Sequence, residues 1–104
     1  MEQFRSVNGY SNIYWGWGGE DDDMARRLAY VGLPVSRPAT NIGRYTMLSH
    51  PSSDSPQFER IRQKLVSSSV RRFKFDGLNT LNCELMSFSS NLMFKHLVIN
   101  VGVP

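Results

Sequence analysis

Eight residues, Gly16-Trp17-Gly18-Gly19-Glu20-Asp21-Asp22-Asp23, set a tryptophan among three glycines directly ahead of four consecutive carboxylates. Folding alone does not favour such a stretch. Adjacent like charges repel, glycines lose the most freedom on ordering, and an indole on a turn forgoes burial. The arrangement points to a binding or catalytic site for a hydroxyl-rich ligand. Carboxylates accept hydrogen bonds from sugar hydroxyls, an indole covers an apolar sugar face, and a carboxylate at hydrogen-bond distance can take a proton from an attacking hydroxyl. On a helix, Glu20 and Asp23 fall on one side, and Asp21 projects about 100° from Glu20, so the acids can serve different groups of one ligand.

A second constellation, Met47-Leu48-Ser49-His50, carries a thioether and an imidazole three residues apart. The spacing permits shared ligation of a metal, although a thioether suits soft ions better than hard ones. A calcium loop is not indicated at residues 20–23, because the alternating ligands and central glycine of an EF-hand are missing. Asp21-x-Asp23 formally matches the Asp-x-Asp pattern of sugar-nucleotide enzymes, a match that gains weight from the glycines and Trp17 in front of it.

The elements that must position these groups follow from periodicity. Residues 1–19 show no clear period and read as a loop, with a short strand at Tyr14-Trp15 and a turn at the glycines. A first helix is expected over about 20–31. Its acids sit where they oppose the positive end of the helix dipole, Met24, Leu28 and Val31 form an apolar stripe, and Gly32 with Pro34 supplies the stop. Leu33 to Leu48 reads as short extended pieces, Tyr45-Thr46-Met47 being the better strand candidate, and Ser49 to Ser55 as a loop. Phe58, Ile61 and Leu65 predict a second helix that begins near Pro56 and ends at Ser67–Ser69. Alternation at Leu81, Cys83 and Leu85 and at Leu97, Ile99 and Val101 predicts an antiparallel hairpin turning through Ser89-Ser90-Asn91. Asp76-Gly77 is a turn signal, and no internal repeat is evident.

With 104 residues the chain is at most one domain with a thin core. No run approaches the ~18 apolar residues of a membrane-spanning helix, and the N-terminus lacks the pattern of a signal peptide, so a soluble piece is expected. Cys83 is the single cysteine, expected as a buried small hydrophobe, and excludes an intrachain disulfide. The net charge of +3 is unevenly spread: after Met24 there are eleven Lys or Arg against four acids. Arg60, Arg62, Lys64, Arg71, Arg72 and Lys74 could meet phosphates, but aromatic residues interleave only at Phe73 and Phe75, and no nucleic-acid module of known pattern is present.

Together with Asn8-Gly9-Tyr10-Ser11-Asn12-Ile13-Tyr14-Trp15 in front of it, the tryptophan and acid run resembles the C-terminal part of the β-1,4-galactosyltransferase family. The likeness continues through Ser36-Arg37-Pro38, Gly43-Arg44, Phe58-Glu59-Arg60-Ile61 and Asp76-Gly77-Leu78-Asn79 to Gly102. It implies an α/β fold, the C-terminal portion of a GT-A-like nucleotide-diphospho-sugar transferase, with residues 1–104 as a partial domain. The implied activity is Mn²⁺-dependent transfer of galactose from UDP-galactose to the 4-hydroxyl of terminal N-acetylglucosamine, with inversion. Asp21 would be the catalytic base. Trp17, Gly18 and Glu20 would bind the donor, and Tyr14, Gly19, Asp21, Asp22, Phe58 and Ile61 the acceptor. Met47 and His50 would hold Mn²⁺, and the loop after them would form a closing lid.

The resemblance also implies a Golgi-lumenal parent, with the nucleotide-binding half and a membrane anchor upstream of Phe4, outside this chain. Some members transfer N-acetylgalactosamine instead. Gln57 stands where the family often has Arg, Tyr45 replaces a cysteine of some members, and Asn100 replaces a common acid. A non-catalytic carbohydrate-binding fragment is the rival reading, and a basic nucleic-acid module a third.

Overall fold

The computed structural model describes residues 1–49 and 56–102. Its elements run in the order α1 (Glu2–Ser6), α2 (Glu20–Tyr30), α3 (Pro56–Arg72), a 3₁₀ turn (Leu78–Thr80), β1 (Glu84–Ser90) and β2 (Lys95–Asn100). The radius of gyration is 16.6 Å, against about 13 Å for a compact domain of this length. The described residues thus form an open arrangement of helices and one two-stranded hairpin.

Helix α2 begins and ends as its sequence dictates. Gly19 caps it in the left-handed region at φ +93°, and Asp23 N donates to Gly19 O at 3.0 Å to close the first turn. At the other end Gly32 takes φ +75°. The amides of Gly32 and Leu33 then donate to Ala29 O (3.1 Å) and Leu28 O (2.9 Å), a Schellman stop.

The buried face of α2 is not the apolar stripe. Met24 and Leu28 are only half-buried and Val31 is exposed, whereas Asp23 and Arg27 are almost wholly buried, at 1% and 0% exposure. Arg27 Nε donates to Asp23 Oδ1 at 2.5 Å, and its Nη1 donates to the carbonyls of Gly9 (3.1 Å) and Asp76 (2.9 Å). Arg72 from α3 donates through Nη2 to Asp23 Oδ2 at 2.9 Å and through Nη1 to Asp76 Oδ2. Tyr14 Oη donates to Asp23 Oδ2 at 2.9 Å. Asp76 is met further by Ser11 Oγ (2.5 Å) and the amide of Asn12 (2.8 Å). Two arginines and two aspartates therefore clamp the N-terminal loop, α2, the end of α3 and the segment after it. The buried hydrophobic residues beside this network are Val7 and Phe73, the latter edge-on to Tyr30 at 5.5 Å between ring centroids.

Several expectations are corrected. Residues 1–19 contain the short helix α1, and neither Tyr14-Trp15 nor Tyr45-Thr46-Met47 is a strand. Helix α3 does not stop at the serines but runs through Ser67, Ser68 and Ser69 to Arg72. The hydroxyls of Ser67 and Ser68 bond back to Lys64 O (2.8 Å) and Leu65 O (3.0 Å), which satisfies them inside a helix. Ser69 is fully buried and donates to Asp23 O at 3.3 Å. Its small side chain lets α3 lie close against α2.

The hairpin forms as expected, but its turn lies further along. Ser89 and Ser90 belong to β1, and the reversal occurs at Asn91–Phe94, where Asn91 Oδ1 accepts from the amides of Met93 (2.8 Å) and Phe94 (2.9 Å). Leu85 pairs with Ile99 and Phe88 with Leu97, with a bulge between Leu85 and Ser87. That bulge absorbs Met86 and brings Leu85, Phe88, Leu97 and Ile99 onto one face, each between 45% and 58% exposed. Cys83, expected inside, is exposed, because it precedes β1 where nothing packs over it. Among the described residues no helix is long and apolar enough to cross a membrane.

Two predictions follow from the network. Arg27→Ala takes the Arg27 donor from buried Asp23 Oδ1 and from the carbonyls of Val7, Gly9 and Asp76, and should lower unfolding stability by about 3 kcal/mol, Arg72 and Tyr14 still holding Oδ2; an unchanged urea midpoint would show that the clamp does not hold the fold. Burial, then the hydrogen bond to Asp23, pushes the Tyr14 hydroxyl from 10.0 up to about 12. The folded chain thus binds that proton more tightly than the unfolded one. The associated stability is present below pH 10 and is lost as pH rises through about 12. Tyr14→Phe should flatten alkaline unfolding in that window, as followed by circular dichroism.

Candidate functional site

Residues Trp17 to Asp22 wrap the mouth of a cavity of about 490 Å³ whose other wall is α3. Three glycines shape the loop, with φ of +82° at Gly16, +92° at Gly18 and +93° at Gly19, values that side-chain-bearing residues adopt at a strain cost. Gly19 has a second reason to be glycine: a Cβ there would lie 2.9 Å from the ring of Tyr14. The chain can therefore turn tightly from Trp17 into α2 while the Tyr14 ring packs beneath.

The first turn of α2 divides its acids between two tasks. Glu20, Asp21 and Asp22 are exposed and line the cavity. Asp21 Oδ1 accepts the amide of Asp22 at 2.9 Å, and no other hydrogen bond or ion pair of that carboxylate is present among the described residues. Asp23 points the other way, into the ion network. Glu20 and Asp23 thus do not serve one ligand, because Asp23 is committed to Arg27, Arg72 and Tyr14.

The opposite wall comes from α3: Glu59, Arg62, Gln63 and Val66, with Arg26 contributed by α2. Arg62 Nη1 donates to Trp17 O at 2.8 Å and its Nη2 to Glu59 Oε2 at 2.7 Å. Gln63 Nε2 donates to Glu59 Oε1 at 3.0 Å. These bonds, that from Arg62 first, hold the Glu59 carboxyl below its ordinary pKa. The cavity therefore carries three acids and Arg26 on the α2 side and Glu59 with Arg62 on the α3 side, suited to a polar ligand with hydroxyl and anionic groups.

A smaller and more apolar cavity of about 310 Å³ adjoins it, lined by Tyr14, Trp15, Phe58, Ile61 and Leu65 among others, with Arg62 common to both. The expected site residues thus separate. Trp17, Gly18, Gly19, Glu20, Asp21 and Asp22 gather at the larger cavity, and Tyr14, Phe58 and Ile61 at the smaller. The Tyr14 hydroxyl, bound to Asp23, leaves the ring as the surface this residue presents to the smaller cavity.

Met47 joins neither cavity and is 88% exposed. His50 and the expected lid at residues 50–55 lie outside the described residues. No group of three or more His, Cys, Asp or Glu that could hold a metal occurs among the described residues. These residues do not by themselves fit a divalent ion.

Sequence reasoning missed Arg26, Glu59, Arg62 and Gln63 as site residues. In the sequence Arg62 was one member of a basic run. Its only mark was the i, i+3 spacing from Glu59, which does not tell that the pair faces the tryptophan loop.

The geometry can be set beside proteins of related sequence. A family model described as the N-terminal domain of galactosyltransferase matches residues 1–51; its description names an N-terminal domain where the motif resemblance implies a C-terminal part. β-1,4-Galactosyltransferase 4 of Rattus norvegicus is 38% identical over 99 residues, covering 95% of this chain and 29% of the relative. β-1,4-Galactosyltransferase 2 of Cricetulus griseus is 34% identical over 102 residues, 98% of this chain and 28% of the relative. β-1,4-Galactosyltransferase 1 of Mus musculus is 33% identical over 103 residues, 99% of this chain and 26% of the relative. The chain spans less than a third of the length of these relatives. Similarity that runs almost from end to end, through the tryptophan loop, the acids of α2 and the helix facing them, makes this chain a member of the β-1,4-galactosyltransferase family.

Proposed function

We propose that the chain is the C-terminal, acceptor-side part of a GT-A-like enzyme that transfers galactose from UDP-galactose to the 4-hydroxyl of terminal N-acetylglucosamine in the Golgi lumen. The observation that carries this reading is the convergence of Trp17, Gly18, Gly19, Glu20, Asp21 and Asp22 on one cavity of about 490 Å³. An indole and three exposed carboxylates offer a hexose an apolar face and acceptors for its hydroxyls.

In the reaction, the acceptor 4-hydroxyl oxygen forms a bond to the anomeric carbon of galactose as the bond from that carbon to the UDP oxygen breaks. UDP leaves with the electron pair, the configuration inverts, and the hydroxyl proton passes to Asp21. Asp21 suits this task because it is exposed at the cavity and its second oxygen is uncommitted. Trp17, Gly18 and Glu20 hold the donor sugar. Gly19 and Asp22 hold the acceptor hydroxyls, and Tyr14, Phe58 and Ile61 offer it an apolar wall. Gln57, where the family often has Arg, contributes to a groove with Arg60, Ile61 and Lys64 instead. For Mn²⁺, Met47 and His50 would be two ligands, completed by groups from outside this chain, and none of the steps assigned to its residues runs through the ion. Transfer of N-acetylgalactosamine is the alternative donor reading.

One observation favours a second reading, a carbohydrate-binding piece without turnover: the chain spans less than a third of the length of the relatives it matches. Titration with UDP and Mn²⁺ separates the two, since the binding piece takes sugar but shows no metal-dependent nucleotide binding. Radiolabelled galactose transfer from UDP-galactose to an N-acetylglucosamine acceptor, with and without Mn²⁺, tests the main reading. In the longer protein containing this segment, Asp21→Asn should reduce transfer by about 10²–10⁴-fold while donor affinity stays within a few fold. Retained turnover in that variant would assign the base elsewhere. His50→Ala should weaken activation by Mn²⁺, and an unaltered Mn²⁺ dependence would remove His50 from the metal shell.

A further inference from the structure

We propose that Arg62 is the positioning residue of the sugar site: its guanidinium fixes the Trp17 loop against α3 and sets the indole over the acids of α2. This rests on reading Trp17 and those acids as a sugar-binding surface. Trp17 sits between glycines whose φ values of +82° at Gly16 and +92° at Gly18 supply no stiffness of their own. The indole is also 55% exposed, so burial does not anchor it. Arg62 reaches the loop from a rigid element, donating to Trp17 O at 2.8 Å from the second turn of a helix of 17 residues.

Arg62 is itself aimed. Glu59 Oε2 takes its Nη2 at 2.7 Å, and Glu59 Oε1 is held by Gln63 at 3.0 Å, so the fork is pinned on one side before it touches the loop on the other. The Arg62 side chain is 16% exposed, well covered for a cation. Its aliphatic stem also packs on the loop, with Cδ 3.8 Å from where a Cβ of Gly18 would stand. Because the same side chain lines both cavities, it spaces the tryptophan platform from the apolar wall at Phe58 and Ile61. Planar two-pronged donation makes arginine rather than lysine suitable, since one ammonium cannot replace both prongs in their fixed geometry.

The test uses the chain with Trp15→Phe, which leaves Trp17 as the single tryptophan. Nanosecond fluorescence anisotropy then reports Trp17 alone. Arg62→Ala should at least roughly double the fast-decaying fraction while far-ultraviolet circular dichroism stays unchanged, and Arg62→Lys should fall between the two. Glu59→Gln, which keeps the helix and the arginine but weakens its aim, should move the same signal in the same direction. Unchanged anisotropy in both Arg62→Ala and Glu59→Gln overturns the proposal. In the transfer assay with the longer protein, Arg62→Ala should raise the KM for UDP-galactose about tenfold with kcat within about twofold; an equal fall in kcat at constant KM would also overturn it. Absence of transfer by the unsubstituted protein would instead overturn the transferase reading, and the anisotropy would still decide the role of Arg62.

Discussion

The buried pair of Asp23 and Arg27 is the constraint on which the other parts depend. Both side chains lie on one face of α2, a turn apart, and both are removed from water. A buried ion pair is tolerable only when its remaining donors and acceptors are also met. That requirement draws in Arg72 from α3, Asp76 from the segment beyond it, Tyr14 and Ser11 from the N-terminal loop and the carbonyls of Val7 and Gly9. No buried side-chain polar atom among the described residues is left without a partner. With Val7 and Phe73 as the buried hydrophobic residues, specificity of assembly comes from hydrogen-bond geometry more than from apolar volume.

The site is built on that base. The tryptophan loop is short, glycine-rich and anchored at its end by the start of α2, so clamping α2 fixes where Glu20, Asp21 and Asp22 stand. Helix α3 then closes the cavity because Ser69 lets it approach and Arg72 locks its end. The tryptophan loop and the exposed acids share the larger cavity, and Tyr14, Phe58 and Ile61 line the smaller one beside it, so a polar and an apolar surface adjoin at Arg62.

Much of this was legible in the sequence, in places with a local cause. The start of α2 follows from the acids after Gly19, and its stop from Gly32; the hairpin follows from alternation. What was not legible depended on distant partners. The serines at 67–69 are poor helix formers in isolation, and only their back-bonding and the contact of Ser69 with Asp23 explain why α3 continues. The inward turn of Asp23 could not be separated from the outward turn of its neighbours, because the arginines that claim it lie 4 and 49 residues away. Cys83 was misplaced for a similar reason: strand-like alternation extends to it, but the hairpin face it would share is uncovered.

Asp22 and Asp23 are joined by one peptide bond, yet one borders the cavity and the other is locked in the interior. The boundary between ligand surface and folding core therefore passes between consecutive residues, with no flexible spacer to decouple them. Such a site has no private melting transition. Whatever loosens the interior of α2 displaces the cavity-facing carboxylates in the same cooperative step, so binding competence and native-state population should disappear along a single curve.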